Sequence, residues 1–362
     1  MSNLDDLTNA GVAIWLDDLS RDRLQSGNLQ ELINTSRIVG VTTNPSIFSA
    51  AISGSTLYKK EILELKLAGH SISDILTELT TSDVRTACDL FLTTFVESDQ
   101  IDGRVSIEVE PNLAYDTSAT VERAISLSRM VNRPNLFIKV PATMEGIPAI
   151  EELTARGISV NVTLIFSVTR YKLVIDAYLR GLERRVSKSE SLLSIHSVAS
   201  FFISRIDTEI DKQLDSLSPD SPLRGKAAIA NAHLAYEAFQ NIVRSQRWQK
   251  LAKLGANVQR PLWASTGVKD KSYESTRYVI ELVAPDCVNT MPEATLDEVR
   301  ARGIVRGDTI TSRYEEARTS LAGLAVVGIN LNRIVRELEN DGVSKFEKAW
   351  EQLAENIAAV TQ

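Results

Sequence analysis

Residues 158–164 read Ile-Ser-Val-Asn-Val-Thr-Leu, and apolar and polar side chains alternate strictly along them. Because successive side chains of an extended strand point to opposite faces, the four aliphatic residues share one face and the three polar residues share the other. Residues 104–110, Arg-Val-Ser-Ile-Glu-Val-Glu, repeat this alternation. We therefore predict strands whose apolar face packs against helices and whose polar face points into a closed interior.

Further short strands alternate with amphipathic helices along the chain. For example, apolar residues recur with helical periodicity at residues 117–130 and 146–156. This periodicity predicts one helix after the strand at residues 104–110 and another after the strand at residues 136–140. Eight strands, each followed by a helix, predict an α/β fold in the form of a (β/α)8 TIM barrel. The predicted strands are residues 12–17, 38–43, 104–110, 136–140, 158–164, 192–198, 259–265 and 286–290.

The chain is longer than such a barrel needs. Its 362 residues exceed the ~250 that are typical of the fold, and the surplus falls in two places. Residues 46–100 are predicted to form a helical insertion, and residues 301–362 a helical C-terminal extension. No segment rich in Pro, Gly or Ser divides the sequence, so we predict a single domain over residues 1–362.

Composition and charge exclude several classes of protein. The 40 Lys and Arg against 47 Asp and Glu give a net charge of −7, which disfavours binding to nucleic acid or to an anionic membrane. The two cysteines and three histidines are scattered without metal-binding spacing, so no metal is predicted. The polar N-terminus is unlike a signal peptide, and the longest uncharged apolar run, residues 321–329, is too short to cross a bilayer. These features predict a soluble, cytoplasmic protein.

Charged side chains lie on the polar faces of three predicted strands. Asp17 ends the first strand, Glu108 is in the third, and Lys139 is in the fourth. Charged residues are rarely buried unless they are paired or functional. Active sites of barrels lie at the carboxyl ends of the strands, where these three residues would converge. A structural ion pair of Lys139 with Glu108 or Asp17 is the alternative interpretation.

A buried lysine has a specific chemical use. Lysine is normally protonated and not nucleophilic, but apolar surroundings favour the free amine, which attacks carbonyl groups. The resulting imine withdraws electrons and so permits cleavage of a C–C bond. A neighbouring carboxylate can move the protons that this cleavage requires.

Four motifs of this chain resemble those of transaldolases. The segment LFIKVPAT at residues 136–143 resembles the catalytic-lysine strand of that family, and TTNPS at residues 42–46 resembles its second strand. SIEV at residues 106–109 and NVTLIFS at residues 161–167 are similar to two further strands, and all four occur in the family order. WASTGVK at residues 263–269 and the long helical tail are similar to the longer, actinobacterial-type transaldolases.

The resemblance implies an enzyme of the pentose phosphate pathway. Such an enzyme transfers a dihydroxyacetone unit from sedoheptulose 7-phosphate to glyceraldehyde 3-phosphate, and the products are erythrose 4-phosphate and fructose 6-phosphate. The substrates are sugar phosphates, and neither a metal nor an organic cofactor is implied.

The family motifs also imply roles in the chemical steps. Lys139 would form the Schiff base, and Asp17 would take the proton of the donor's C4 hydroxyl and return a proton to the acceptor aldehyde. Glu108 and Thr163 would hold a water molecule for the formation and hydrolysis of the imine.

Other residues would bind the substrate. By the same resemblance, Asn44 and Asn161 would contact substrate hydroxyls and orient the lysine. Ser200 and Arg205 would bind a hydroxyl and the phosphate. Many transaldolases carry a second phosphate-binding arginine after the seventh strand, in an Ala-Ser-Phe-Arg context. Here the context is Ala-Ser-Thr-Gly-Val-Lys, so Lys269 is the expected replacement.

Two other functions stay open at this point. A Schiff-base aldolase that releases free dihydroxyacetone would share the whole set of residues, although the long chain and helical tail favour a transaldolase. A non-catalytic barrel that serves as a binding protein would have no need for the complete set. The sequence leaves a monomer and a homodimer equally open.

Overall fold

Eight parallel strands form a closed barrel in the computed structural model, which describes residues 2–360. Each strand is hydrogen-bonded to its neighbours in chain order, and the last strand pairs with the first. The predicted (β/α)8 TIM barrel is therefore confirmed. The strands are β1 (Val12–Leu16), β2 (Ile38–Val41), β3 (Arg104–Glu108), β4 (Leu136–Pro141), β5 (Val160–Ile165), β6 (Ser197–Phe202), β7 (Gln259–Ala264) and β8 (Cys287–Met291).

Helices surround the barrel and extend beyond the basic repeat. Additional helices lie between β2 and β3, and three more follow β8. The helices are α1 (Asn3–Asn9), α2 (Arg21–Gln25), α3 (Asn28–Thr35), α4 (Pro45–Gly54), α5 (Lys59–Leu67), α6 (Ile72–Leu90), α7 (Leu92–Glu97), α8 (Thr117–Val131), α9 (Gly146–Ala155), α10 (Val168–Ser187), α11 (Ser204–Leu217), α12 (Ala227–Val243), α13 (Gln246–Ala252), α14 (Arg277–Ile280), α15 (Glu293–Arg302), α16 (Tyr314–Val326) and α17 (Leu331–Val360). None of those in residues 2–360 combines the length and the apolar character of a membrane-crossing helix.

The sixth strand lies further along the chain than predicted. The prediction of residues 192–198 was wrong, because β6 is Ser197–Phe202. Leu192 and Ile195 gave the apolar signal, but they are buried in the segment that precedes the strand. There the carbonyl of Ile195 accepts a hydrogen bond from Asn257 at 3.1 Å. Apolar residues that are buried in a connection therefore resemble the start of a strand in the sequence.

Large side chains fill the barrel interior on the side away from the carboxyl ends of the strands. The ring of Trp15 lies directly over Gly40, where an added Cβ would come within 2.5 Å of the indole. Trp15 also stacks on Phe137, with ring centroids 6.1 Å apart. Arg104 is fully buried, and the carbon atom of its guanidinium lies 5.1 Å from the centroid of the Phe137 ring. This packing fills the barrel interior beneath the polar side chains at the carboxyl ends of the strands.

One side of the last helix, α17, is buried. A stripe of buried residues runs along it, including Ile334, Leu338, Phe346 and Leu353. These residues are four, eight and seven positions apart, and such spacings place them on one side of a helix. Through this side α17 packs against α4, α5, α6, α11 and β5, and so crosses the barrel at the ends of the strands.

Candidate active site

A cavity of about 170 Å³ opens at the carboxyl ends of the strands. Side chains from most strands reach it, because inward-facing positions at the strand ends converge there. The sequence-predicted residues in its lining are Asp17, Asn44, Lys139, Thr163, Ser200, Arg205 and Lys269. Glu108 lines a smaller adjoining cavity together with Asn44. Asn161 lies deeper in the barrel and does not line the 170 Å³ cavity.

Lys139 is buried, with only 4% of its surface exposed. The register of β3 and β4 places Glu108 opposite Lys139, and the lysine Nζ lies 3.1 Å from Glu108 Oε2. Nζ also donates a hydrogen bond to the carbonyl of Thr43 at 3.0 Å. Burial raises the pKa of Glu108, against the opposing effect of the Lys139 charge. The amine is therefore held between a carboxyl group and a carbonyl, and it faces the cavity.

Asp17 follows β1 and is held by a chain of hydroxyl groups. Its amide donates to the carbonyl of Met291 at 2.9 Å, which extends the barrel ladder by one residue. Thr42 donates to Asp17 Oδ1 at 2.7 Å, and the hydroxyl of Thr290 lies 2.6 Å from that of Thr42. Since the single hydroxyl proton of Thr42 goes to Asp17, Thr290 is the donor in the second bond.

The pKa of Asp17 is raised by its burial at the mouth of the barrel. The charge of Lys139 and the hydrogen bond from Thr42 both act in the opposite direction, but they do not cancel the effect of burial. A carboxyl group whose pKa lies above its ordinary value is a stronger base when it is ionised. Such a group is suited to general acid–base chemistry beside Lys139.

A second polar chain crosses the interior beneath the cavity. Ser200 donates to Asn161 Oδ1 at 2.7 Å, and Asn161 Nδ2 donates to the hydroxyl of Ser106 at 3.0 Å. Asn161 is fully buried, so it positions Ser200 from within. Above it, the buried hydroxyl of Thr163 has no hydrogen-bond partner among the described residues. That hydroxyl is free to bind a substrate group or a water molecule.

Asn44 has a structural role as well as a place at the cavity. It is the N-cap of α4, where its Oδ1 accepts a hydrogen bond from the amide of Ile47 at 3.1 Å. Pro45 occupies the first helical position, where no amide proton is needed. Capping uses only the amide oxygen, so the side-chain NH₂ group of Asn44 is left as a donor at the cavity.

Two cations of unequal burial lie at the mouth. Arg205, in the first turn of α11, has its guanidinium 5.2 Å from the ring centroid of Phe202. Its buried Nη1 has no hydrogen-bond partner within residues 2–360, and burial lowers its pKa. Lys269 is exposed at the rim. Arg205 keeps its positive charge despite its burial, because arginine is effectively always protonated in proteins. Its planar guanidinium can bind a phosphate dianion by two parallel hydrogen bonds.

Sequence reasoning did not assign Thr42, Thr290, Phe202 or Phe346 to the site, although all four line the cavity. Thr42 and Thr290 stand at strand ends on the inward parity, so the alternation that identified Asp17 could have found them. Phe346 carries no such signal, because its position depends on the path of α17 through space.

The described residues contain no evident metal centre. No group of three or more His, Cys, Asp or Glu side chains within residues 2–360 is arranged to hold a metal ion. The cysteines, Cys88 and Cys287, are buried as free thiols, and burial raises the pKa of Cys88 above its ordinary value. A buried thiol with a raised pKa is a poor nucleophile and a poor ligand.

Comparison with known proteins connects this geometry to a family. Residues 14–357 match the family described as transaldolase/fructose-6-phosphate aldolase. A protein named transaldolase from Mycolicibacterium smegmatis is 55% identical over 353 residues, which cover 97% of this chain and 95% of the relative. Transaldolase 1 from Streptomyces coelicolor is 54% identical over 358 residues, covering 98% of this chain and 93% of the relative. The transaldolase of Mycobacterium tuberculosis strain H37Rv is 53% identical over 360 residues, with 99% and 96% covered. The chain therefore belongs to the transaldolase/fructose-6-phosphate aldolase family.

Proposed function

We propose that this chain is a transaldolase that carries a dihydroxyacetone unit on Lys139 as a Schiff base. The unit would pass from sedoheptulose 7-phosphate to glyceraldehyde 3-phosphate, giving erythrose 4-phosphate and fructose 6-phosphate. The observation that carries the proposal is the buried Lys139 amine at the end of β4, facing a cavity that Asp17 and Arg205 also line. Family membership and the names of the relatives support the same reaction.

Formation of the imine comes first. The Lys139 amine attacks the donor's C2 carbonyl, and the carbinolamine loses water to give an iminium ion. Glu108 lies 3.1 Å from the amine and is placed to move the protons of these steps. The free hydroxyl of Thr163 is a suitable anchor for the departing water.

Cleavage and transfer follow. The Asp17 carboxylate takes the proton of the donor's C4 hydroxyl, the C3–C4 bond breaks, and its electron pair moves into the iminium to give an enamine. The first aldehyde leaves, and the acceptor aldehyde takes its place. The enamine carbon then attacks that aldehyde, and Asp17 returns its proton to the new alkoxide oxygen. The raised pKa of Asp17 supports this role, because the same carboxyl group first accepts the proton and later returns it. Water finally adds to the iminium carbon that this attack forms, which releases the ketose product and restores the Lys139 amine.

The phosphate groups of donor and acceptor need a cation at the mouth. Arg205 offers two N–H groups in a plane, which match a phosphate dianion, and Lys269 offers a point charge at the rim. Phosphorylated sugars are therefore the expected substrates. A cytoplasmic location and a monomeric or homodimeric state stay predictions.

An assay with fructose 6-phosphate and erythrose 4-phosphate tests the proposal. A transaldolase forms sedoheptulose 7-phosphate and glyceraldehyde 3-phosphate only when both sugars are present. A simple aldolase would release free dihydroxyacetone and glyceraldehyde 3-phosphate from fructose 6-phosphate alone. A binding protein would form neither set of products, and Lys139→Ala should behave in this way.

A further inference from the structure

The C-terminal helix contributes an aromatic ring to the cavity. Phe346 of α17 is 4% exposed, and its ring centroid lies 5.8 Å from Lys139 Nζ. The same ring lies 6.0 Å from the guanidinium carbon of Arg205. One apolar face thus lies close to both the proposed nucleophile and the proposed phosphate ligand, although it is supplied by a segment far from the strands in sequence.

Specific contacts fix the position of this ring. One turn earlier on α17, a Cβ on Gly342 would come within 2.9 Å of Leu164 Cδ2, so the helix lies closer to the end of β5 than a larger residue would allow without a shift. Glu339 forms a largely buried ion pair with Arg170 at 3.1 Å. Both contacts hold the helix against the barrel on the side from which Phe346 reaches the cavity.

The ring has a chemical consequence for a lysine-bound intermediate. An aromatic face within about 6 Å of a cation stabilises it through its quadrupole, and the iminium on Lys139 is such a cation. The ring also occupies space beside the amine from which water would otherwise approach. Exclusion of water protects reactive intermediates from side reactions.

Two fates compete for the enamine that remains after C3–C4 cleavage. In transfer, its carbon attacks an acceptor aldehyde. In release, the carbon takes up a proton to give an iminium ion, water adds to the iminium carbon, and dihydroxyacetone leaves as the Lys139 amine is restored. Both fates end in hydrolysis of an iminium ion on Lys139, but only release requires a proton to reach the enamine carbon first. Water that enters beside Lys139 can supply that proton, so the rate of release depends on the access of water to the intermediate.

We propose that Phe346 is a specificity-determining residue, whose ring keeps water from the Lys139-bound intermediate and thereby favours transfer over release. This inference rests on the proposed Schiff-base function. It gives the helical extension a role in the reaction, because α17 holds the ring at the cavity.

Replacement of the ring tests the inference. The quantity to measure is free dihydroxyacetone formed per donor cleaved, with fructose 6-phosphate and saturating erythrose 4-phosphate. The space left by Phe346→Ala would face Lys139 and Arg205, and polar space of this kind admits water. We expect the ratio to rise about threefold in Phe346→Leu, which keeps an apolar cover, and on the order of tenfold in Phe346→Ala.

A matched control separates the ring from the stability of the helix. Leu353 is fully buried on the same helix and does not line the cavity, so Leu353→Ala should lower the melting temperature without raising the ratio. A ratio that rises as much in Leu353→Ala as in Phe346→Ala would attribute the effect to helix mobility and overturn the inference. Phe346→Leu keeps the test available if the alanine variant does not fold.

Trapping distinguishes a failure of this inference from a failure of the proposed function. Borohydride and fructose 6-phosphate should label Lys139 in the unaltered protein and in both Phe346 variants. Normal labelling with an unchanged ratio in both variants would reduce Phe346 to a packing residue and leave the function intact. No labelling of Lys139 in the unaltered protein would instead remove the function on which the inference rests.

Discussion

The hydroxyl of Thr42 offers the sharpest perturbation of Asp17. Thr42 is buried and donates to Asp17 Oδ1 at 2.7 Å, and this bond is one of the effects that hold the pKa of Asp17 down against burial. Thr42→Val replaces the hydroxyl with a methyl group of similar size. The carboxylate then loses a donor while the acid form loses little, so the pKa of Asp17 should rise further.

The direction of the effect on activity follows from the role of Asp17. The carboxylate form is the base in donor cleavage, so kcat/KM falls as the pH falls through the pKa of Asp17. Raising that pKa moves the acidic limb of the profile to higher pH. A hydrogen bond to a charged group contributes about 1.5–3 kcal/mol, which corresponds to a loss of about tenfold to hundredfold in kcat/KM on the acidic side.

The assay is a pH profile of kcat/KM for fructose 6-phosphate with erythrose 4-phosphate in excess. Thr42→Ser keeps the hydroxyl and serves as the matched control, with an acidic limb near that of the unaltered protein. At high pH, where Asp17 is ionised in both, Thr42→Val should approach the control. An acidic limb at the same pH in Thr42→Val and Thr42→Ser would refute the assignment of Asp17 as the base.

Three further predictions concern the site and its support. Asp17→Asn should keep the melting temperature but slow C–C cleavage by about 10²–10⁴-fold in single-turnover measurements, because an amide accepts no proton; near-normal cleavage would remove Asp17 from the mechanism. Arg205→Ala should lower the kcat/KM ratio of fructose 6-phosphate to fructose by about tenfold to hundredfold, and Lys269→Ala should lower it less; a ratio unchanged in Arg205→Ala would mean that another group binds the phosphate. Gly40→Ala should lower the free energy of unfolding by about 1–3 kcal/mol in urea denaturation, because the new Cβ meets the Trp15 ring at 2.5 Å; full stability would show that the ring moves at no cost.

The alternation of side chains predicted the barrel because a strand with one face inside and one face on helices must alternate. It placed β3, β4 and β5 within two residues of their observed ends. It also placed Glu108 and Lys139 on inward positions, and the register of the two strands then brings the side chains together. The same criterion failed at β6, because Leu192 and Ile195, which precede the strand, are buried as strand residues are.

Features that depend on the path of the chain through space could not be predicted. Phe346 reaches Lys139 only because α17 crosses the strand ends, and a helical pattern shows which side of a helix is apolar but not what it covers. The depth of Asn161 likewise follows from the stagger of the strands, which placed its amide between Ser106 and Ser200 and away from the cavity.

Trapping of the lysine-bound intermediate is the most direct test of the central claim. Borohydride in the presence of fructose 6-phosphate should inactivate the protein and add one reduced three-carbon unit, which peptide mass spectrometry should locate on Lys139. Borohydride without sugar should leave the activity unchanged, and Lys139→Ala should acquire no label. A label on another lysine, or transfer activity that persists in Lys139→Ala, would contradict the assignment of Lys139 as the residue that carries the transferred unit.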